Sequence, residues 1–362
     1  MAGTAEVLDG PWRIVALAEL AARNVTIPPM PRPDDLAYLQ FSSGSTRMPT
    51  GVAISHANLI ANCTAINAHG LRIGESDRAV SWLPFFHDMG LVGFLLAPIA
   101  SQTSVDYLPT DDFARRPLAW LQLIARSKAT VSYAPTFAYE LCARRLAALP
   151  VEDVAALDLS CWRIAGIGGE MVRLPALDRF SAALAPAGFR PEAFCPSYGL
   201  AECVLAVSVG PGGLRTASPV GEPAPQYVSC GRVLPGHELD VRDPVSGRTQ
   251  PAGEPGRMFI RGPSVMRGDF EQADASRRAL SNGWLDTGDI GFVADGNLFL
   301  VGRAKDMFVV NGRNVWPQDV EWALERAAHH PGAVPIDRQP GPPAARRPRA
   351  FRGPRRHRGG RL

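Results

Sequence analysis

Between residues 36 and 200 the chain alternates short apolar runs with stretches of helical length. LAYLQF (36–41) reads as a strand, followed by a Gly/Ser/Thr loop and a helix over HANLIANCTAINAHG with Ser55 as its N-cap. AVSWL, which runs up to Pro84, reads as another strand, with a helical stretch after His87. SVDYL (104–108) precedes a helix through Leu118–Arg126, and TVSYA (130–134) precedes one from Thr136 to Leu149. WRIAGI (162–167) precedes a helix near Pro175, a residue suited to a first turn. Such alternation predicts an α/β fold with largely parallel sheets flanked by helices. From about residue 229 short strands broken by Gly, Pro and Asp-Pro turns predict a small antiparallel β-subdomain. NLFLVGR and MFVVNGR (297–313) are further strand-like runs, and PQDVEWALE (317–325) opens a helix at Pro317 with acids in its first turn.

The pattern then stops. Residues 331–362 hold seven Pro, five Gly and nine Arg with almost no apolar periodicity, too little to build a packed core. A disordered basic tail and a shifted reading frame both fit, and the abrupt end of a helix under way at Glu325 favours the second. The tail also changes the meaning of the net charge. The whole chain carries +3, of which the tail supplies +8, leaving residues 1–330 at about −5. A mildly acidic globular part gives no reason to expect a nucleic-acid partner.

A length of 362 residues suggests two or three domains, and 46% apolar with 20% charged residues is ordinary for a soluble protein. The N-terminus lacks the order of a signal peptide, and no apolar run approaches the roughly 20 residues of a membrane span. Six scattered cysteines without a CxxC pair read as buried or incidental thiols of a reducing, cytoplasmic setting.

Four segments carry candidate chemistry. SSGSTRMPTG (42–51) lies between a strand and a helix, where backbone N–H groups and hydroxyls can cradle phosphates; it is not a Walker A loop. Alone, such a turn is more often structural. SWLPFFHDMGL (81–91) puts a His-Asp pair after a strand, where α/β sheets bind ligands. FCPSYGLAE (194–202) offers Tyr198 to stack on a base and Glu202 to hold Mg²⁺. GWLDTGDIG (283–291) and GRAKDMFVVNGRN (302–314) offer Asp289 and Arg303 for ribose or phosphate oxygens.

In order and spacing, the four segments resemble the adenylate-forming superfamily of acyl-CoA synthetases, luciferases and peptide-synthetase adenylation domains, over about residues 36–325. LQFSSGSTRMPTGV, SWLPFFHDMGLVG, RPEAFCPSYGLAE, VSCGR and NGRNVWPQDVE are most similar to the fatty acyl-AMP ligases, with Arg47 and Thr50 where CoA ligases usually carry Gly and Lys. The resemblance implies a large multi-layer N-terminal domain followed by only the start of a small C-terminal one. Residues 1–228 would form part of its α/β core, 229–304 the β-rich subdomain, 305–330 a hinge and the beginning of the C-terminal domain, and 331–362 the tail.

By this likeness Ser43, Gly44, Ser45 and Thr46 would hold the triphosphate of ATP, with Thr46 also catalytic. Gly168, Gly169 and Glu170, with Ser197, Tyr198 and Gly199, would line the adenine pocket. Glu202 would bind Mg²⁺ and assist catalysis, Asp289 and Arg303 would fix the ribose, and His87 would stand at the mouth of the acyl site. Lys305 or Asp306 would mark the hinge. The implied reaction joins a fatty acid to AMP, releases pyrophosphate, and feeds an acyl carrier protein or a polyketide synthase carrier domain. A fatty acyl-CoA ligase and an inactive nucleotide- or acyl-binding remnant remain open, since the family's long insertion after Glu202 is not found. The family also begins well before residue 36 and carries its catalytic lysine in a complete C-terminal domain, whereas no lysine follows Lys305. Truncation at both ends is therefore expected, with impaired adenylation if this chain is the whole protein.

Overall fold

The computed structural model describes residues 29–42, 50–220, 226–310, 313–317, 320 and 324. It divides the chain into two compact units that meet at Ala304 and Lys305. The first begins with a hairpin. β1 (Leu36–Ser42) pairs antiparallel with β2 (Thr50–Ser55), so Ser42 faces Thr50 across the ladder. β2 is a difference from the sequence reading, which passes from loop to helix. Its apolar residues Val52 and Ile54 are fully buried, and that burial settles the strand. Ser55 then caps the helix His56–Thr64, with Asn58 answering in a reciprocal capping box.

The main sheet follows from the strand–helix alternation. It comprises β3 (Arg78–Ser81), β4 (Ser104–Tyr107), β5 (Val131–Ala134), β6 (Ile164–Ile167), β7 (Phe194–Gly199) and β8 (Ala206–Val209). After the short strands β9 (Thr216–Ala217) and β10 (Tyr227–Val228), the strand β11 (Arg232–Val233) completes it in the order β11-β8-β7-β6-β5-β3-β4. The pairs from β4 to β7 are parallel, and β8 and β11 add antiparallel. β5 and β6 are buried on both faces, as expected of central strands covered by helices. Helices Leu118–Ser127, Thr136–Leu146 and Leu174–Leu184 pack apolar faces onto this sheet, and Trp120, Tyr139, Trp162 and Phe180 form an aromatic core. After His87 the helical stretch runs α over Asp88–Leu91, π over Val92–Leu96 and α again over Ala97–Ser101.

Beyond residue 229 the expected antiparallel β-structure forms. β12 (Glu238–Arg242) pairs with β13 (Gly256–Arg261). β14 (Gly268–Asp269) returns to β2. β15 (Leu280–Ser281), β16 (Trp284–Ala294) and β17 (Asn297–Arg303) complete the five-stranded sheet. Its turn at Asp295–Gly296 uses positive φ at both positions, as a tight hairpin requires. A second hydrophobic cluster, around Val52, Ile54, Val207, Met258 and Ile260, joins this sheet to β2 and β8. A 3₁₀ turn at Ala304–Asp306 runs across the boundary, and the second unit continues with the ladder of β18 (Phe308–Val310) and β19 (Arg313–Val315). No helix among the described residues is long and apolar enough to cross a membrane.

Candidate active site

Side chains from β7, β16 and β17 meet at Asp289. Tyr198 donates its hydroxyl hydrogen to Asp289 Oδ2 at 2.7 Å, and Arg303, cross-strand partner of Asp289, brings Nε to 3.8 Å from Oδ1. The Tyr198 ring is buried, and burial first, then the Asp289 charge, drives its hydroxyl pKa well above the ordinary value. Tyr198 is thus a neutral donor that orients the carboxylate. Thr287 sets the local backbone by donating to Met258 O at 2.9 Å and accepting from the Asp289 N–H at 3.1 Å.

Glu202 lies on the 3₁₀ turn Ala201–Cys203 just after β7. Its carboxyl pKa is raised, first by burial and then by the charges of Asp269, Asp88 and Asp289. Glu202 thus follows directly on the strand that carries Tyr198 to Asp289, and its main-chain carbonyl accepts from Met266 N–H at 2.8 Å. The backbone there is strained. Val204, fully buried and β-branched, sits at φ 69°, ψ −62°, with Leu205 N–H donating to Cys203 O at 2.8 Å. Gly199 is demanded by the same approach, since a Cβ there would lie 1.7 Å from Leu205 O.

His87 occupies the N-cap position of the helix Asp88–Leu91. Nδ1 lies 2.7 Å from Asp88 Oδ1 and 3.2 Å from Met89 N. The shorter contact requires a proton on Nδ1, so we assign His87 as the donor and Asp88 as the acceptor of Met89 N–H at 2.7 Å as well. The Asp88 hydrogen bond raises the His87 pKa against partial burial. Gln40, itself buried, donates Nε2–H to Phe86 O at 3.0 Å and ties this corner to β1. Phe86 is 83% exposed beside His87, while Phe85 meets Tyr107 edge-on.

Gly168 and Gly169 follow β6 and face Met89. A Cβ at Gly168 would meet Met89 Sδ and Ser197 O, both at 3.6 Å, and Gly169 adopts φ 82°. Ser197 Oγ shares a 3.0 Å hydrogen bond with Tyr133 Oη. The Glu170 carboxylate accepts from Phe137 N–H at 2.8 Å, which engages it at the start of a helix. Lys305 and Asp306 are exposed on the 3₁₀ turn of the second unit. Ser43, Gly44, Ser45 and Thr46 lie outside the described residues. Of the residues singled out in the sequence, Tyr198 meets Asp289 and Arg303, and Gly168 lies against Ser197, whereas Asp269 and Val204 were not singled out. Nothing in the letters marks either, because Asp269 arrives through the β14–β2 pairing and Val204 through its dihedral angles.

A family model described as AMP-binding enzyme matches residues 4–268, and the chain belongs to that adenylate-forming family. A Caulobacter vibrioides relative described as an acyl-CoA synthetase is 49% identical over 85% of this chain and 57% of its own length. A medium-chain-fatty-acid–[acyl-carrier-protein] ligase of Moorena producens is 37% identical over 82% of this chain and 54% of its own. Among solved structures, one from a study of fatty acyl-adenylate ligases of E. coli and L. pneumophila aligns with TM-score 0.77 and 44% identity, over 84% of this chain and 57% of that one. The chain spans about half the length of the curated relatives it matches. Fold and relatives together make it an adenylate-forming sequence related to fatty acyl-AMP and acyl-carrier-protein ligases.

Proposed function

We propose that this chain carries the nucleotide and acyl sites of a fatty acyl-AMP ligase. The observation that carries the reading is the Tyr198–Asp289–Arg303 set, standing at the strand that leads directly into Glu202. Asp289, its carboxylate oriented by Tyr198, accepts from the ribose hydroxyls of ATP, and Arg303 adds a charged donor. Ser43, Gly44, Ser45 and Thr46 hold the phosphates, with Gly168, Gly169, Glu170, Ser197 and Gly199 bordering the base. The exposed Phe86 and the Phe85–Tyr107 pair beside His87 suit an aliphatic acid, each buried methylene contributing about 0.8 kcal/mol.

Glu202 fits a Mg²⁺ ion by its chemistry: a half-buried carboxyl in a surplus of negative charge, able to supply the one carboxylate this ion needs beside phosphate oxygens. Bound there, the ion would neutralise charge on the phosphates. In the reaction a fatty carboxylate oxygen bonds to the α-phosphorus, and the bond to the pyrophosphate oxygen breaks, giving acyl-AMP and pyrophosphate. The chain's own part is to position the groups and exclude water. Lys305 and Asp306 serve as the hinge, and the acyl group passes to the phosphopantetheine thiol of a carrier protein.

A non-hydrolysable dodecanoyl-AMP analogue tests the reading by calorimetry. It should bind the wild-type chain and lose about tenfold or more in affinity in Asp289→Asn, the scale of one charge-assisted hydrogen bond. Pyrophosphate release with ATP, Mg²⁺ and laurate is then measured in the same preparation. A folded chain that neither binds the analogue nor releases pyrophosphate would end the proposal. Supplying CoA against a phosphopantetheinylated carrier protein separates this function from a CoA ligase.

A further inference from the structure

Away from this site, at the edge of the main sheet where β8 meets β11, lies a cavity of about 400 Å³. Arg72, Arg215, Arg232 and His69 border it, and no carboxylate is among its lining residues. The side chains of the three arginines make no ion pair or hydrogen bond among the described residues. Arg232 nonetheless has a defined place, its guanidinium carbon 3.8 Å from where a Cβ of Gly296 would be. Like charges gathered at a concave surface focus a positive potential into it.

A second observation concerns Asn297, which begins β17 and lines the same cavity. It is 8% exposed, and while Nδ2 donates to Asp295 O at 3.1 Å, the buried Oδ1 has no hydrogen-bond partner. Oδ1 itself is closed to solvent, so Asn297 lines the cavity as part of its fixed wall. Gly210 and Gly231 let the backbones close on each other; a Cβ on Gly231 would lie 2.1 Å from Val209 C. Val209 and Leu234 supply apolar wall.

We propose that this cavity binds a small phosphate monoester of sugar-phosphate size. The guanidinium forks match phosphate oxygens, and the volume lies at the lower end for small-molecule sites, about 300–1,000 Å³. None of its residues belongs to the Asp289 site.

Calorimetry on the 362-residue chain tests this with ribose 5-phosphate, inorganic phosphate and ribose as probes. Ribose 5-phosphate should saturate one site and bind more tightly than phosphate, with ribose alone giving no heat. Arg72→Glu/Arg232→Glu should weaken it by about tenfold or more, Arg215→Gln by less, as charge-assisted hydrogen bonds predict. All these positions are exposed, so circular dichroism should be unchanged. Arg303→Ala should leave the affinity as it is. Equal affinity in wild type and the double variant, or loss of binding in Arg303→Ala, overturns the proposal.

Discussion

Glu202 is held where its charge is unwelcome. Its pKa is raised in the folded state, so the folded chain keeps the proton to higher pH than the unfolded one. The resulting destabilisation is absent below the unfolded value and complete above the folded one. Glu202→Gln should therefore raise Tm at pH 8 by a few degrees, with the gain vanishing in acid, while abolishing laurate-dependent pyrophosphate release. Scanning fluorimetry across pH checks the first part; a variant that melts lower at pH 8 refutes the electrostatic account. His87 behaves oppositely. Its pKa is raised above 6.5 by Asp88, so that pair stabilises fully below the unfolded value and is lost as pH rises through the folded one. In Asp88→Asn the His87 NMR titration midpoint should fall, and an unchanged midpoint would remove Asp88 as the cause. YGLAE and FFHDMG made both residues legible, because chemistry of this kind needs them after strands. The sign of the Glu202 shift was not legible, since it depends first on burial and then on charges that include Asp269 of β14 and Asp289 of β16, which only the fold brings near, whereas the His87 shift comes from its sequence neighbour Asp88.

Among the secondary-structure elements, two glycines make a contrast. Gly90 lies within the turn of helix after His87, and a Cβ there would sit 2.3 Å from Pro84 O, a backbone atom that cannot easily yield. Gly90→Ala should cost about 1–3 kcal/mol in denaturant unfolding, the range for overpacking, and displace His87 as well. Gly168→Ala meets only ordinary contacts, so its stability should hold while affinity for the acyl-AMP analogue falls. Equal stability of the two variants would show that the Pro84 contact is soft. The helix at Ser55 was readable from its cap, and β3 to β6 from their apolar runs. TGVAIS (50–55) was not, because only its pairing with β1 and β14 distinguishes it from a loop entering a helix.

The first unit as a whole depends on the aromatic core beneath the parallel strands. Trp120 is fully buried, lies edge-on to Trp162 and Tyr139, and donates to Ser132 Oγ at 2.8 Å; that oxygen in turn donates to Val80 O at 2.6 Å. Trp120→Ala should lose about 3–5 kcal/mol, read from the denaturation midpoint, and a loss under 1 kcal/mol would mean the surroundings collapse into the gap. The division at Ala304 has a mechanical consequence for the proposed hinge. Arg303 is pinned to Asp289 by the β16–β17 ladder, one residue before the boundary. When a body swings about an axis, each atom travels in proportion to its lever arm, so atoms next to the pivot scarcely move. A ribose gripped at Asp289 and Arg303 would sit near the still point of the rotation, and the adenylate would not have to be let go for the rest of the protein to change its stance.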